Sequence, residues 1–249
     1  MSRVVAVVQA RCGSERLPGK VLLPLAGRPV VEHVVRSAQA TASIDEVVLA
    51  TTTGSADDEL AALGDALGVR TVRGSEDDVL GRFVAALEGD PADVVVRLTA
   101  DNPLLDPSVT DAVVRRFEEG DCDYASNNGE RSWPRGLDCE VLSRAALERS
   151  AREGHRPEDR EHVTFHVRTH PQDFRLVNVR APQEQEWPEL RLSLDTAEDL
   201  ALLQRVFDAL YDGETPLPID AVIAWLRRHP DVVALNAEVQ QKPTLGTIL

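Results

Sequence analysis

The chain has 249 residues, 43% of them hydrophobic and 28% charged, the balance of an ordinary globular protein with room for one large α/β core or two small ones. Its net charge of −15 excludes a nucleic-acid polymer or an anionic membrane surface as the general partner. Cys12, Cys122 and Cys139 form no CxxC pair and read as reduced thiols of a cytoplasmic protein, and the apolar run 4–8 is too short for a signal peptide or a membrane span.

In chain order, residues 4–8 are continuously apolar, as in a parallel strand buried on both faces. The loop 9–20, QARCGSERLPGK, follows, and Pro29 opens a helical pattern through Val30, Val31, Val34 and Val35. A second buried strand covers 47–50, a helix 57–67 stops at Gly68, and a third strand covers 69–72. A helix over 77–88 precedes a fourth strand, 94–98, that runs into TADNP. This alternation predicts an α/β fold with a doubly wound, mainly parallel sheet. The second half is less regular: a helix over 111–119, strands at 122–126 and 138–142, helices over 144–153 and 159–170, and a strand at 174–179. A short strand at 192–194 leads into Asp195, helices follow at 196–211 and 217–229, and the tail 236–249 has weak pattern. The stretch 128–135 reads as a mobile loop. No linker rich in Pro, Gly or Ser divides the chain, so the expectation is a single domain over 1–249 with an excursion near 130–180.

The loop 9–20 carries a Gly-Lys pair but fails as a P-loop. Five residues rather than four separate Gly13 from Gly19, and Val21 stands where a Ser or Thr would meet magnesium. It still suits a phosphate. Gly13 and Gly19 allow backbone amides to approach phosphate oxygens, and Arg11, Arg16 and Lys20 supply charge. Over residues 1–40, Arg3, Arg11, Arg16, Lys20, Arg28 and Arg36 face only Glu15 and Glu32, a local positive field in an acidic chain. Lys20 is one of only two lysines, with Lys242, which suggests a task for a compact point charge, although coding bias explains the general shortage. A solvated turn with scattered basic residues is the competing reading.

Ligands of open parallel sheets bind beyond the carboxyl ends of the strands. Polar segments fall at such ends at 9–20, 51–54, 73–78 and 99–102, and Asp195 follows the late strand. Asp101 and Asp195 are carboxylates far apart in sequence, an arrangement that suits magnesium held by one or two carboxylates plus substrate phosphates. Each also precedes a helix-like segment and could cap it. Both roles stay open here.

QARCGSERLPGKVLLPLAGRPVVEHVVRSAQ, RGSEDDVLGRF, RLTADNPLLDP, WPRGLDCEVLS, REHVTFHV and LSLDTAEDL occur in that order and spacing. Together they resemble the sugar-activating cytidylyltransferases, which include the acylneuraminate and 3-deoxy-manno-octulosonate enzymes, and most closely the spore-coat polysaccharide branch. The resemblance runs to about Tyr211 and weakens over the last forty residues. It implies a nucleotidyltransferase sheet of the glycosyltransferase-A-like type and in-line attack of an acceptor hydroxyl on the α-phosphate of CTP, releasing pyrophosphate. It implies Arg11, Ser14, Arg16 and Lys20 on the triphosphate, with Ala10 and Thr99 beside them at the strand ends. Thr51, Arg73, Gly74, Ser75 and Arg82 would line the cytosine and ribose side. Asp101 and Asp195 would bind Mg2+, and Arg11, Lys20 and Asp101 would carry the catalysis. Arg135, Asp138, Glu140, Arg160 and His162 would shape the pocket of a small acidic acceptor. Relatives are commonly homodimers, which nominates the 130–180 excursion as the pairing surface, with Val163, Phe165 and Val167 as apolar contacts. Two departures stand out: Ala100 replaces a usual glycine and Cys139 a usual aliphatic residue.

Other readings compete. His162, His166 and His170 have helical spacing for zinc, but HExxH is absent and polar helix faces commonly carry histidine. Cys12 beside cations could be a reactive thiol or a passive small residue. A nucleotide-sugar glycosyltransferase would use the same sheet, yet Asp101-Asn102-Pro103 lacks the second aspartate of a DxD motif. A non-catalytic nucleotide sensor would keep Arg11 and Lys20 without requiring Asp101 and Asp195.

Overall fold

The first apolar run becomes the middle of the sheet. In a computed structural model, which describes residues 2–241, β1 (Val4–Gln9) lies between two parallel neighbours. Val4, Ala6 and Val8 enter one core and Val5 and Val7 another on the opposite face, so the run is continuous because helices cover both sides. A two-stranded ribbon, β2 (Pro24–Leu25) and β3 (Arg28–Pro29), leads into α1 (Val30–Ala40). β4 (Glu46–Thr52), α2 (Asp58–Ala66) and β5 (Arg70–Gly74) extend the sheet to one side. α3 (Val79–Ala86) then returns the chain to β6 (Val94–Thr99) on the other side of β1. α4 (Pro107–Glu118), β7 (Tyr124–Ser126), β8 (Glu140–Ser143), α5 (Arg144–Glu153), α6 (Pro157–Glu161), α7 (Phe165–Thr169) and β9 (Leu176–Asn178) follow. α8 (Ala197–Leu210), α9 (Ile219–Leu226) and α10 (Pro230–Val233) complete the helices among the described residues.

The sheet order is β5-β4-β1-β6-β8-β7-β9, with β8 antiparallel to both neighbours and the other strands sharing one direction. Connections leave β1 and β6 toward opposite edges, so the carboxyl ends of these two strands flank a switch point. The doubly wound, mainly parallel sheet expected from the sequence is present. No described helix is long and apolar enough to cross a membrane.

Several expectations change. The helix read over 159–170 is broken: His162 is extended between α6 and α7, and the Thr164 hydroxyl donates to Glu140 at 2.6 Å. Val163, Phe165 and Val167 are buried inside the chain, so pairing of two copies cannot use them as exposed contacts. The stretch 128–135 is anchored: Ser132 and Trp133 are buried, and the indole N–H of Trp133 donates to the Val179 carbonyl at 2.9 Å. The helix read from 111 begins at Pro107, capped by Asp106, which accepts from Ser108 N–H at 2.6 Å, and the Asp-Pro pair was its signal. Of the tail, only residues 236–241 are described; Lys242 lies outside them.

Candidate active site

The segment 192–194 is not a sheet strand. Leu192 N–H donates to the Arg135 carbonyl at 2.7 Å and Leu194 N–H to the Asp101 carbonyl at 2.8 Å, so it bridges two loops above the strand ends. Gly136 sits at φ 108, and a Cβ there would lie 2.5 Å from the Leu192 backbone, so this crossing needs glycine. The result sets Asp195 beside Asp101. Neither caps a helix: α8 is capped by Thr196, which accepts from Asp199 N–H, and α4 by Asp106. The capping reading is thereby removed for both.

Lys20 lies between the two carboxylates. Its Nζ donates to Asp101 Oδ2 at 2.7 Å, Asp195 Oδ1 at 2.8 Å and the Leu194 carbonyl at 2.8 Å. Burial works against the ammonium, but the two aspartates outweigh it and raise Lys20 above its ordinary value. Burial likewise opposes the Asp195 carboxylate, yet Lys20, then Arg16 and Arg191, hold it below the usual carboxylate range. Asp195 Oδ2 takes Arg191 at 2.5 Å and Arg16 at 3.0 Å. The first loop is pinned from below, because Asp57 accepts from Cys12 N–H at 2.7 Å and from the Thr52 hydroxyl. Gly19, at φ 68, turns the chain into Lys20. Cys12 is no activated thiol: burial, then Asp57, pushes it up to about 11.

Two cavities meet at this point, and Thr99, Asp101, His162 and Asp195 line both. The larger, about 1030 Å3, is also lined by Ala10, Arg11, Ser14, Arg16, Lys20, Arg82 and Arg160. Arg82 is 3% exposed, makes no ion pair among the described residues and leaves its Nε without a partner, while Nη1 donates to the Ser75 carbonyl at 2.9 Å. Burial, then Arg11, lowers its pKa. A Cβ on Gly74 would come within 2.8 Å of the Arg82 side chain, so the glycine makes room for it. Thr51, Arg73, Gly74 and Ser75 are not among the lining residues. Thr51 is buried in β4, and the Arg73 guanidinium turns onto the Thr52 and Gly54 carbonyls and Asp58. Ala100 avoids positive φ, so its methyl is accommodated where a glycine was usual.

The smaller cavity, about 380 Å3, holds Arg135, Asp138, Glu140 and His162 of the sequence-nominated acceptor group. Arg160 lies in the larger cavity instead, held by Asp78 at 2.5 Å. Glu140 has both oxygens occupied, by Arg97 on one and by Tyr124 and Thr164 on the other. Asp138 pairs with Arg131 at 2.9 Å. By contrast, the guanidiniums of Arg135 and Arg168 make no hydrogen bond or ion pair among the described residues. Ser126 Oγ, Asn128 Oδ1, Ser193 Oγ and Arg168 Nε are buried with no hydrogen bond of good geometry among the described residues, and all four residues line this cavity. An unsatisfied buried polar atom costs about 1–3 kcal/mol, so four around one cavity suit a polar occupant. Sequence reasoning missed Arg168, Ser126, Asn128 and Ser193. Ser193 falls within the LSLDTAEDL stretch but was passed over beside Asp195; Arg168, Ser126 and Asn128 sit in none of the quoted motifs, and the broken helix that aims Arg168 leaves no periodic trace. His166 and His170 stack on each other at 4.2 Å while His162 turns to the cavities, and no metal-capable group of three side chains occurs among the described residues.

A family model described as Cytidylyltransferase matches residues 5–215. The chain belongs to the cytidylyltransferase family. These enzymes transfer a cytidylyl group from CTP, so the glycosyltransferase and sensor readings fall away. This cytidylyltransferase is 35% identical to the spore coat polysaccharide biosynthesis protein SpsF of Bacillus subtilis, over 93% of this chain and 97% of that one. It is 36% identical to a 3-deoxy-manno-octulosonate cytidylyltransferase of Anaeromyxobacter, over 48% of this chain and 49% of that one. A solved cytidylyltransferase of Leptospira borgpetersenii superposes with a TM-score of 0.87 at 26% identity, covering 98% of this chain and all of that one.

Proposed function

We propose that the protein transfers CMP from CTP to a hydroxyl of an acidic sugar or sugar-like acceptor, with Mg2+ and release of pyrophosphate. The triphosphate occupies the larger cavity, against Arg11, Ser14, Arg16, Lys20 and Arg82, and the acceptor occupies the smaller one. Asp101 and Asp195 fit a divalent cation: their oxygens converge on one ammonium, 2.7 and 2.8 Å away, and a cation that retains water and substrate oxygens needs few protein ligands. When bound, the cation neutralises charge that develops on the phosphates. His162, which burial keeps below its ordinary pKa and hence neutral, stands at the junction of the cavities and can accept a hydrogen bond from the attacking hydroxyl. The remaining catalysis is alignment and electrostatic stabilisation by Arg11 and Lys20.

The observation that carries the acidic acceptor is that the guanidiniums of Arg135 and Arg168, in a cavity that shares both aspartates, make no hydrogen bond or ion pair among the described residues. Two expectations follow. CTP with magnesium should raise the melting temperature and, with a suitable acceptor, release pyrophosphate. Stabilisation by a uridine or guanosine diphosphate sugar but not by CTP would overturn the nucleotide assignment. Arg168→Ala should raise the KM of an acidic acceptor about ten- to a hundredfold, the worth of one hydrogen bond to a charged group, with the KM of CTP unchanged. A neutral acceptor that turns over as well as any acid in the wild type would reject the anionic assignment.

A further inference from the structure

An ammonium group has three N–H donors and no acceptor, and all three donors of Lys20 have protein partners: Asp101, Asp195 and the Leu194 carbonyl. Lys20 cannot meet a phosphate without releasing at least one of them. The carboxylates are equally occupied. Asp195 has a cation on each oxygen, Lys20 on Oδ1 and Arg16 with Arg191 on Oδ2, and Asp101 shares Lys20. A divalent cation arriving alone meets positive charge already seated between its ligands and is repelled by it.

From this exchange geometry we propose that Lys20 bars the carboxylate pair to a bare divalent cation and surrenders it only to a triphosphate. The phosphates take over the lysine, and the vacated carboxylates then accept the cation that accompanies them. Metal and nucleotide binding are thus coupled through one side chain, and coupling of this kind is reciprocal. The inference rests on the reading of Asp101 and Asp195 as cation ligands, but not on which base the nucleotide carries.

The test is Mn2+ binding to the nucleotide-free protein, followed by the electron-spin resonance signal of unbound Mn2+. Because the acidic surface also collects cations, Lys20→Gln/Asp101→Asn serves as background. Wild type should not exceed that background, whereas Lys20→Gln should gain one saturable site at least about tenfold tighter. Lys20→Met should gain the same site, with unchanged melting cooperativity showing that both variants fold. A saturable wild-type site that Asp101→Asn removes, or no gain in either folded lysine variant, would overturn the proposal. If neither variant folds, wild type is compared with Asp101→Asn as background instead: equal binding supports the bar, and a site lost in Asp101→Asn refutes it. Failure here leaves CTP-dependent thermal stabilisation untouched, so the two readings fail separately.

Discussion

Asp101→Asn is expected to reduce pyrophosphate release by at least about a thousandfold while shifting stability by no more than about 1 kcal/mol. The stability half follows from geometry. Asp101 is partly exposed and caps no helix, its backbone carbonyl still receives Leu194 N–H, and asparagine can still accept from Lys20. The activity half follows from charge, because a neutral amide is a poor ligand for a hard cation and offers no carboxylate to the transfer point. Steady-state pyrophosphate release across a magnesium titration, alongside thermal melting, checks both halves. Turnover within tenfold of wild type at the same magnesium concentration would remove Asp101 from the catalytic machinery.

Glu140→Gln should have the largest effect on stability, a loss of about 3 kcal/mol, because it leaves the partly buried Arg97 against a neutral amide. Glu140 is 2% exposed, and its carboxylate also accepts from the Tyr124 and Thr164 hydroxyls at 2.6 Å each. Burial opposes the charge, but Arg97 first and then Arg168, with those two hydroxyls, pull the carboxyl down from an ordinary 4.5 to about 2. A folded-state pKa below the unfolded one contributes stability that is fully present above the unfolded value and lost as pH falls toward the folded one. The wild type should therefore lose this contribution between about pH 4.5 and 2, and the variant should lack that segment of the pH dependence. Urea denaturation at a series of acid pH values measures it. A loss under about 1 kcal/mol at neutral pH would show that the network is not a stabilising one.

The strands β1, β4 and β6 were legible because each contains a short apolar run covered on both faces and followed by a helical period, whereas β5, a half-exposed edge strand, was marked mainly by the helix and Gly68 before it. The first loop was legible because its glycines and cations are contiguous. What escaped was set by contacts distant in sequence. Asp195 was expected at the end of a sheet strand, but single hydrogen bonds to Arg135 and Asp101 place it, and a three-residue apolar run does not distinguish the two situations. Arg160 and Arg168 look alike in sequence; the break at His162 sends one to Asp78 and the other to the smaller cavity. Asp57 read as an ordinary helix start, although its carboxylate holds the backbone of the phosphate loop. Glu140 was nominated as an acceptor contact, and the neighbours that occupy both its oxygens come from β6, β7 and the turn before α7.

The position of β8 also has a consequence for assembly during synthesis. β8 is made after β7 but lies between β6 and β7, so β7 has no neighbour on that side until residue 143 has emerged. The half of the sheet that bears the phosphate loop needs only residues up to Thr99, with mostly nearest-in-sequence pairings, and can condense first. Lys20 then waits for Asp195, 175 residues downstream in the order of translation. Under the proposed assignment of the two cavities, a nascent chain displays its triphosphate cradle before it owns either the acceptor cavity or the second carboxylate, and gains the complete site only when the last third has closed over the first.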